Sequence, residues 1–137
     1  MMHELDIKAV RVYAVGPSVT PPFRFSGKNP DRRMTYTVVR IVTFGGWEGA
    51  GGTDSEGVGA FDSALAEELK PLIDRLIGRS VLERNAISRE LLGAQKGMVP
   101  YGASLIDIAL WDLAARAAGV PLYQMLGGGE AVIPAYA

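Results

Sequence analysis

The side chains available for chemistry in this chain are few, and each has a plainer use. Five clustered glycines, Gly45, Gly46, Gly49, Gly51 and Gly52, include Gly46-Trp-Glu-Gly-Ala-Gly51-Gly52-Thr53, the spacing of a phosphate-cradling G-x-x-x-x-G-K-[ST] loop. The lysine that would meet the β- and γ-phosphates is missing, and no helical pattern follows directly. Glycines for a tight hairpin and close backbone approach are the better reading. Asp54, Glu56 and Asp62 form a small acidic group, but the calcium pattern D-x-[DN]-x-[DN]-G fails at its third and fifth places, which leaves a solvated loop. His3 is the only histidine and there is no cysteine, so a Ser-His-Asp triad, a histidine metal site and thiolate chemistry all lack their parts. Asp107 and Asp112 are the acidic residues in an apolar setting. They read as a cap, through Ser104-x-x-Asp107, and as an i,i+4 ion pair with Arg116. No complete catalytic set is visible.

These residues hang on a simple order of elements. Leu5 to Val15 and Met34 to Phe44 alternate and are rich in β-branched side chains, so both read as strands. Gly45-Gly46 turns the chain into a short third strand, Trp47 to Gly51. Ala60 to Ile77 has a helical stripe of Phe61, Leu65, Leu69, Leu72, Ile73 and Leu76, with a kink or break expected at Pro71. Ser80-Val-Leu-Glu83 has the form of a capping box opening a second helix, Val81 to Leu92. The third helix, from Ser104, is apolar almost all round and must be covered on more than one side. It stops at Gly119 and Pro121. The expectation is a segregated α+β unit, a three-stranded antiparallel meander followed by about three helices. The closing Ala131 to Ala137, AVIPAYA, reads as the opening of a further strand, so the chain is expected to continue.

Between the first two strands lies a long proline-bearing loop, about Pro17 to Arg33, with Phe23 and Phe25 in it. Two readings stay open on the residues alone: a flap closing over a ligand, or a loop pinned to its own domain by the two phenylalanines. The 137 residues carry 14 basic and 15 acidic side chains, net −1, with 48% hydrophobic content. That balance suits one globular domain and gives no basic patch for nucleic acid and no charged face for a membrane. With no signal-peptide pattern and no long apolar run, the expected location is the cytoplasm.

Ile106-Asp-Ile-Ala-Leu-Trp-Asp-Leu113, followed by Gly119-Val-Pro121-Leu-Tyr-Gln-Met-Leu-Gly127-Gly128, closely resembles the A-x-D-x-A-L-W-D-L … G-x-P-[LV]-x-x-L-L-G-G signature. That signature belongs to the mandelate racemase/muconate lactonising enzyme branch of the enolase superfamily. The order of strand, proline-bearing loop, strand, glycine hairpin and helices agrees over nearly the whole chain, and VIPAYA resembles the first barrel strand. Where many relatives read G-x-G-E after the hairpin, Gly49-Ala-Gly51-Gly52 puts glycine in place of glutamate.

The resemblance implies residues 1–130 as an N-terminal capping domain and 131–137 as the start of a (β/α) barrel. In such enzymes the barrel supplies three acidic ligands to Mg²⁺ and the acid/base residues. The metal stabilises an enediolate formed by proton abstraction beside a carboxylate. No catalytic residue or metal ligand is then expected in this chain, and none of its own residues is expected to bind Mg²⁺. Its part would be two loops that select the substrate, Pro17 to Arg33 and about Gly51 to Gly59, with Phe23, Arg24, Phe25, Thr53 and Asp54 as capping candidates. The implied reaction is acid-sugar dehydration or racemisation/epimerisation of a small carboxylate. The implied partners are the chain's own barrel and further copies in a homo-oligomer. The alternative is a stand-alone binding or oligomerisation module derived from this domain. If the Trp111 ring is fully buried, Trp111→Ala would cost about 3–5 kcal/mol.

Overall fold

The computed structural model describes residues 3–16, 35–54, 61–94, 101–129 and 132, with backbone alone at 61 and 62. Three strands, β1 (Ile7–Val15), β2 (Tyr36–Thr43) and β3 (Glu48–Asp54), form an antiparallel sheet in the order β1-β2-β3. Among the described residues four helices follow, α1 (Phe61–Ile73), α2 (Arg84–Ala94), α3 (Tyr101–Ala118) and the short α4 (Leu122–Met125), with one 3-10 turn at Val81–Glu83. This is the α+β arrangement that the alternation and the helical stripes predict.

The sheet has one covered face. Ile7, Val39 and Ile41 are fully buried beneath the helices, where they meet Leu65, Leu69, Ile87, Leu91, Ile106, Leu110 and Leu113. Period-two alternation delivers the strand residues to that face, and α1, α2 and α3 supply the helical side of the core. Gly46, at φ +83°, makes the β2–β3 turn, closed by Thr43 N donating to the Trp47 carbonyl at 2.9 Å. A side chain there would be strained in the left-handed region.

Several boundaries differ from expectation, each for a tertiary reason. The first strand begins at Ile7. Leu5 and Ile7 instead bond to the α1–α2 connection, through Val81 N to the Leu5 carbonyl at 3.0 Å and Ile7 N to the Arg79 carbonyl at 2.8 Å. The third strand runs on past Gly51 to Asp54. Helix α1 passes through Pro71 and ends at Ile73, so the expected break comes two residues after the proline, which leaves the Glu67 carbonyl without its helical donor. The capping box at Ser80 is half formed. The Ser80 hydroxyl oxygen accepts from Leu82 N at 3.3 Å, but Glu83 pairs with Arg79 rather than reaching back.

Candidate functional site

Both loops expected to carry function leave from one end of the sheet. Val15, the last residue of β1, pairs with Tyr36, the first of β2, and Tyr36 pairs with Asp54, the last of β3. The two ends of the 17–34 segment and the start of the 55–60 segment are therefore rooted in a single cross-strand row. Phe23, Arg24 and Phe25 lie outside the described residues. Thr53 and Asp54 are described, and strand alternation separates them. Thr53 pairs with buried Thr37 on the helix-covered side, whereas Asp54 shares the open face with Tyr36. Both are half-buried.

Helix α3 holds this end in place. It runs antiparallel to β3, so that Gly49 lies against Ala109 and Leu113, and Gly51 against Leu105, Ile108 and Ala109. A Cβ on either glycine would come within 3.0 Å of an α3 backbone atom. These glycines serve close approach, as their spacing suggests, and not phosphate binding. Asp112 adds a polar clamp: its Oδ2 accepts from Ala50 N on β3 at 3.0 Å and from Arg116 Nε at 3.0 Å. The i,i+4 pair read from the sequence is present, and the same carboxylate also occupies an amide on β3, the outer strand of the sheet.

The Ser104/Asp107 cap is not present, because α3 starts three residues earlier, at Tyr101. Its first turn is served from α1 by Glu68, whose Oε1 accepts from Gly102 N at 2.8 Å; the carboxylate complements the positive end of the helix dipole. Asp107 instead accepts from the Ser88 hydroxyl on α2. Asp107→Ala leaves that hydroxyl without its acceptor in the α2–α3 seam and is expected to cost about 1–2 kcal/mol in urea melts.

Trp111 is half-buried, not a core residue, with the Arg84 guanidinium 4.2 Å from its ring centre. The full-burial cost therefore does not apply. Trp111→Ala is expected to cost about 2 kcal/mol, from partial burial plus a cation–π contact of about 0.5–1 kcal/mol. A loss under about 1 kcal/mol in urea unfolding would count against that packing.

Among the described residues no group of three or more His, Cys, Asp or Glu side chains is placed to hold a metal ion. His3 uses its backbone N–H, which donates to Asp6 Oδ2 at 2.7 Å and tightens the turn before β1. Among the described residues no helix is long and apolar enough to cross a membrane.

Known proteins share this arrangement. A cis-3-hydroxy-L-proline dehydratase of Roseibium aggregatum is 34% identical over 128 residues, 90% of this chain and 35% of its own length. A Pseudovibrio sp. protein described as a mandelate racemase/muconate lactonizing enzyme superposes with a TM-score of 0.75 at 33% identity, over 93% of this chain and 34% of that one. A variant of L-talarate/galactarate dehydratase, liganded with Mg and L-glucarate, gives 0.72 at 25% identity, over 90% and 33%. The chain thus spans about a third of the length of these relatives. The family described as mandelate racemase / muconate lactonizing enzyme, N-terminal domain, matches residues 7–127. With the family model matching most of the chain and the fold superposing on a solved structure at 33% identity, this chain belongs to that family.

Proposed function

We propose that this chain is the substrate-capping domain of a longer Mg²⁺-dependent enzyme. That enzyme abstracts a proton beside a carboxylate and dehydrates or epimerises a small acid sugar. Residues 1–130 form the cap, and 131–137 open the first strand of a barrel that carries the acid, the base and the metal ligands. The observation that carries this reading is the common root of the two loops in the Val15–Tyr36–Asp54 row. Loops so rooted can close together over one mouth, exclude water and raise the strength of every electrostatic contact inside.

Phe23 and Phe25 would cover the apolar side of the substrate, Arg24 would pair with its carboxylate, and Thr53 and Asp54, on opposite faces at the end of β3, would carry the second loop toward it, with Asp54 on the open side. The family resemblance assigns Mg²⁺ to the barrel part of the polypeptide, and no step is routed through it here. The dehydratases among the relatives support the reaction class, and the Mg- and L-glucarate-liganded variant supports the metal and the acid-sugar substrate.

The test is to express the whole coding sequence, weigh the intact product and assay a panel of sugar acids with and without Mg²⁺. A mass roughly three times that of this chain, as the 35% coverage implies, with Mg²⁺-dependent turnover is the expected result. A product no longer than this chain, without turnover, would overturn the proposal in favour of a stand-alone module. In the active enzyme, Phe23→Ala with Phe25→Ala is expected to lower kcat/KM about tenfold or more, a loss of about 1.4 kcal/mol or greater in transition-state stabilisation, with the melting temperature unchanged. We place the enzyme in the cytoplasm as a homo-oligomer; light scattering of the whole protein would check the oligomeric state.

A further inference from the structure

Arg84 opens α2, and its guanidinium lies over Trp111 of α3, 4.2 Å from Cζ to the ring centre. One turn on along α2 and one turn back along α3, Ser88 and Asp107 are already engaged with each other. Arg40, Arg75, Arg79 and Arg116 each pair with a carboxylate. The Arg84 side chain forms no ion pair and no hydrogen bond among the described residues. Its Nε is also the one buried side-chain polar atom among them without a partner.

A charged donor removed from water and left without an acceptor is unfavourable, and native structures rarely keep one without a use. Stacking on the indole holds the guanidinium flat and reduces the rotamer freedom it would lose on meeting an anion. The terminal nitrogens remain as donors, and a carboxylate matches their fork with two parallel bonds. The surroundings favour a protein surface over a small free anion. Ile108, one turn before Trp111 on α3, is 45% exposed. An exposed apolar side chain beside a charged contact helps a docking surface to exclude water from it.

We infer that Arg84, held flat on Trp111, anchors an aspartate or glutamate on the C-terminal continuation of this polypeptide, which seats on the α2–α3 seam beside Ile108. The inference rests on the capping-domain reading above, and the continuation is expected because the relatives are about three times as long as this chain. The chain leaves α3 through α4 and the glycines Gly127 to Gly129, a connection short of side chains on which the next part can fold back.

The experiment uses the whole expressed polypeptide and three variants, Arg84→Gln, Arg84→Lys and Ser88→Ala. It follows subtilisin cleavage near Gly127 to Gly129 and hydrogen exchange across residues 101–118. Arg84→Gln is expected to speed cleavage and exchange about tenfold. Arg84→Lys, which keeps the charge but loses the planar fork, is expected to speed them about threefold. Ser88→Ala breaks the seam bond to Asp107 but keeps Arg84, so its cleavage is expected within twofold of the parent. If Arg84→Gln fails to fold, the threefold effect of Arg84→Lys carries the test. Unchanged cleavage in both arginine variants overturns the anchor, as does an equal rise in Ser88→Ala, which would make Arg84 only a brace between α2 and α3. An intact mass showing no continuation overturns the capping-domain reading itself, so the two failures are distinguishable.

Discussion

Alanine at Gly51 is expected to destabilise this domain by about 3 kcal/mol, the upper end of what overpacking usually costs. The added Cβ would fall within 3.0 Å of the Leu105 carbonyl oxygen, a backbone atom of α3 that cannot rotate away. The same change at Gly49 meets the Ala109 carbonyl together with Leu113 N and Cβ, and should cost at least as much. Relief requires the helix to move off the sheet, which would pull Leu105, Ala109 and Leu113 out of the core and open the Asp112 bond to Ala50 N. Gly52 is the internal control. It lies in the same strand, but its Cβ would meet the Thr37 carbonyl and Val38 at 3.5 Å, an ordinary contact. Gly52→Ala should therefore stay within about 0.5 kcal/mol of the parent in urea unfolding. Equal effects at 51 and 52 would mean that strand propensity, not helix seating, explains these glycines.

That contrast also marks how far the sequence could be read. Strands β1 and β2 are legible because their own β-branched alternation makes them strands. The stop of α3 is legible because Gly119, at φ +67°, does locally what its position in the pattern suggests. Strand β3, EGAGGTD, has little propensity of its own. It extends to Asp54 because β2 pairs with it along its length and α3 lies against it, neither of which a local window contains. The caps fail for the same reason: the acceptor for Gly102 N is Glu68, 34 residues away, and the partner of Asp107 is Ser88, 19 residues away. Of the candidate site, the loop roots can be placed and found on one row. Phe23, Arg24 and Phe25 fall outside the described residues, so their role stays with the functional proposal. Arg84 has no motif around it. Only the packing of α2 on α3 brings it to Trp111, and no periodicity could have singled it out.

Leu110→Ala is the second change with a large expected effect, and it tests whether α3 is the joint between the layers. Leu110 is fully buried, as are Ile106 and Leu113 one turn to either side, and all three belong to the cluster that includes Val39 and Ile41 of the sheet and Ile87 and Leu91 of α2. Truncation removes the transfer energy of the lost methyl groups and leaves a cavity whose walls come from three different elements. Such walls cannot collapse together, so the cost should lie near about 3–4 kcal/mol within the usual 2–5 kcal/mol range. In a domain of this size that corresponds to a fall in Tm on the order of 10 °C. Leu126→Ala is the matched control, because that side chain is 60% exposed beyond α4 and its loss should change stability by less than about 0.5 kcal/mol. The difference between the two leucines measures position alone, since the chemistry of the substitution is the same. A small loss at Leu110 would mean that α3 can shift to fill the cavity. Gly49→Ala and Gly51→Ala should then be mild as well, because a helix free to move into a void is also free to move away from a methyl group.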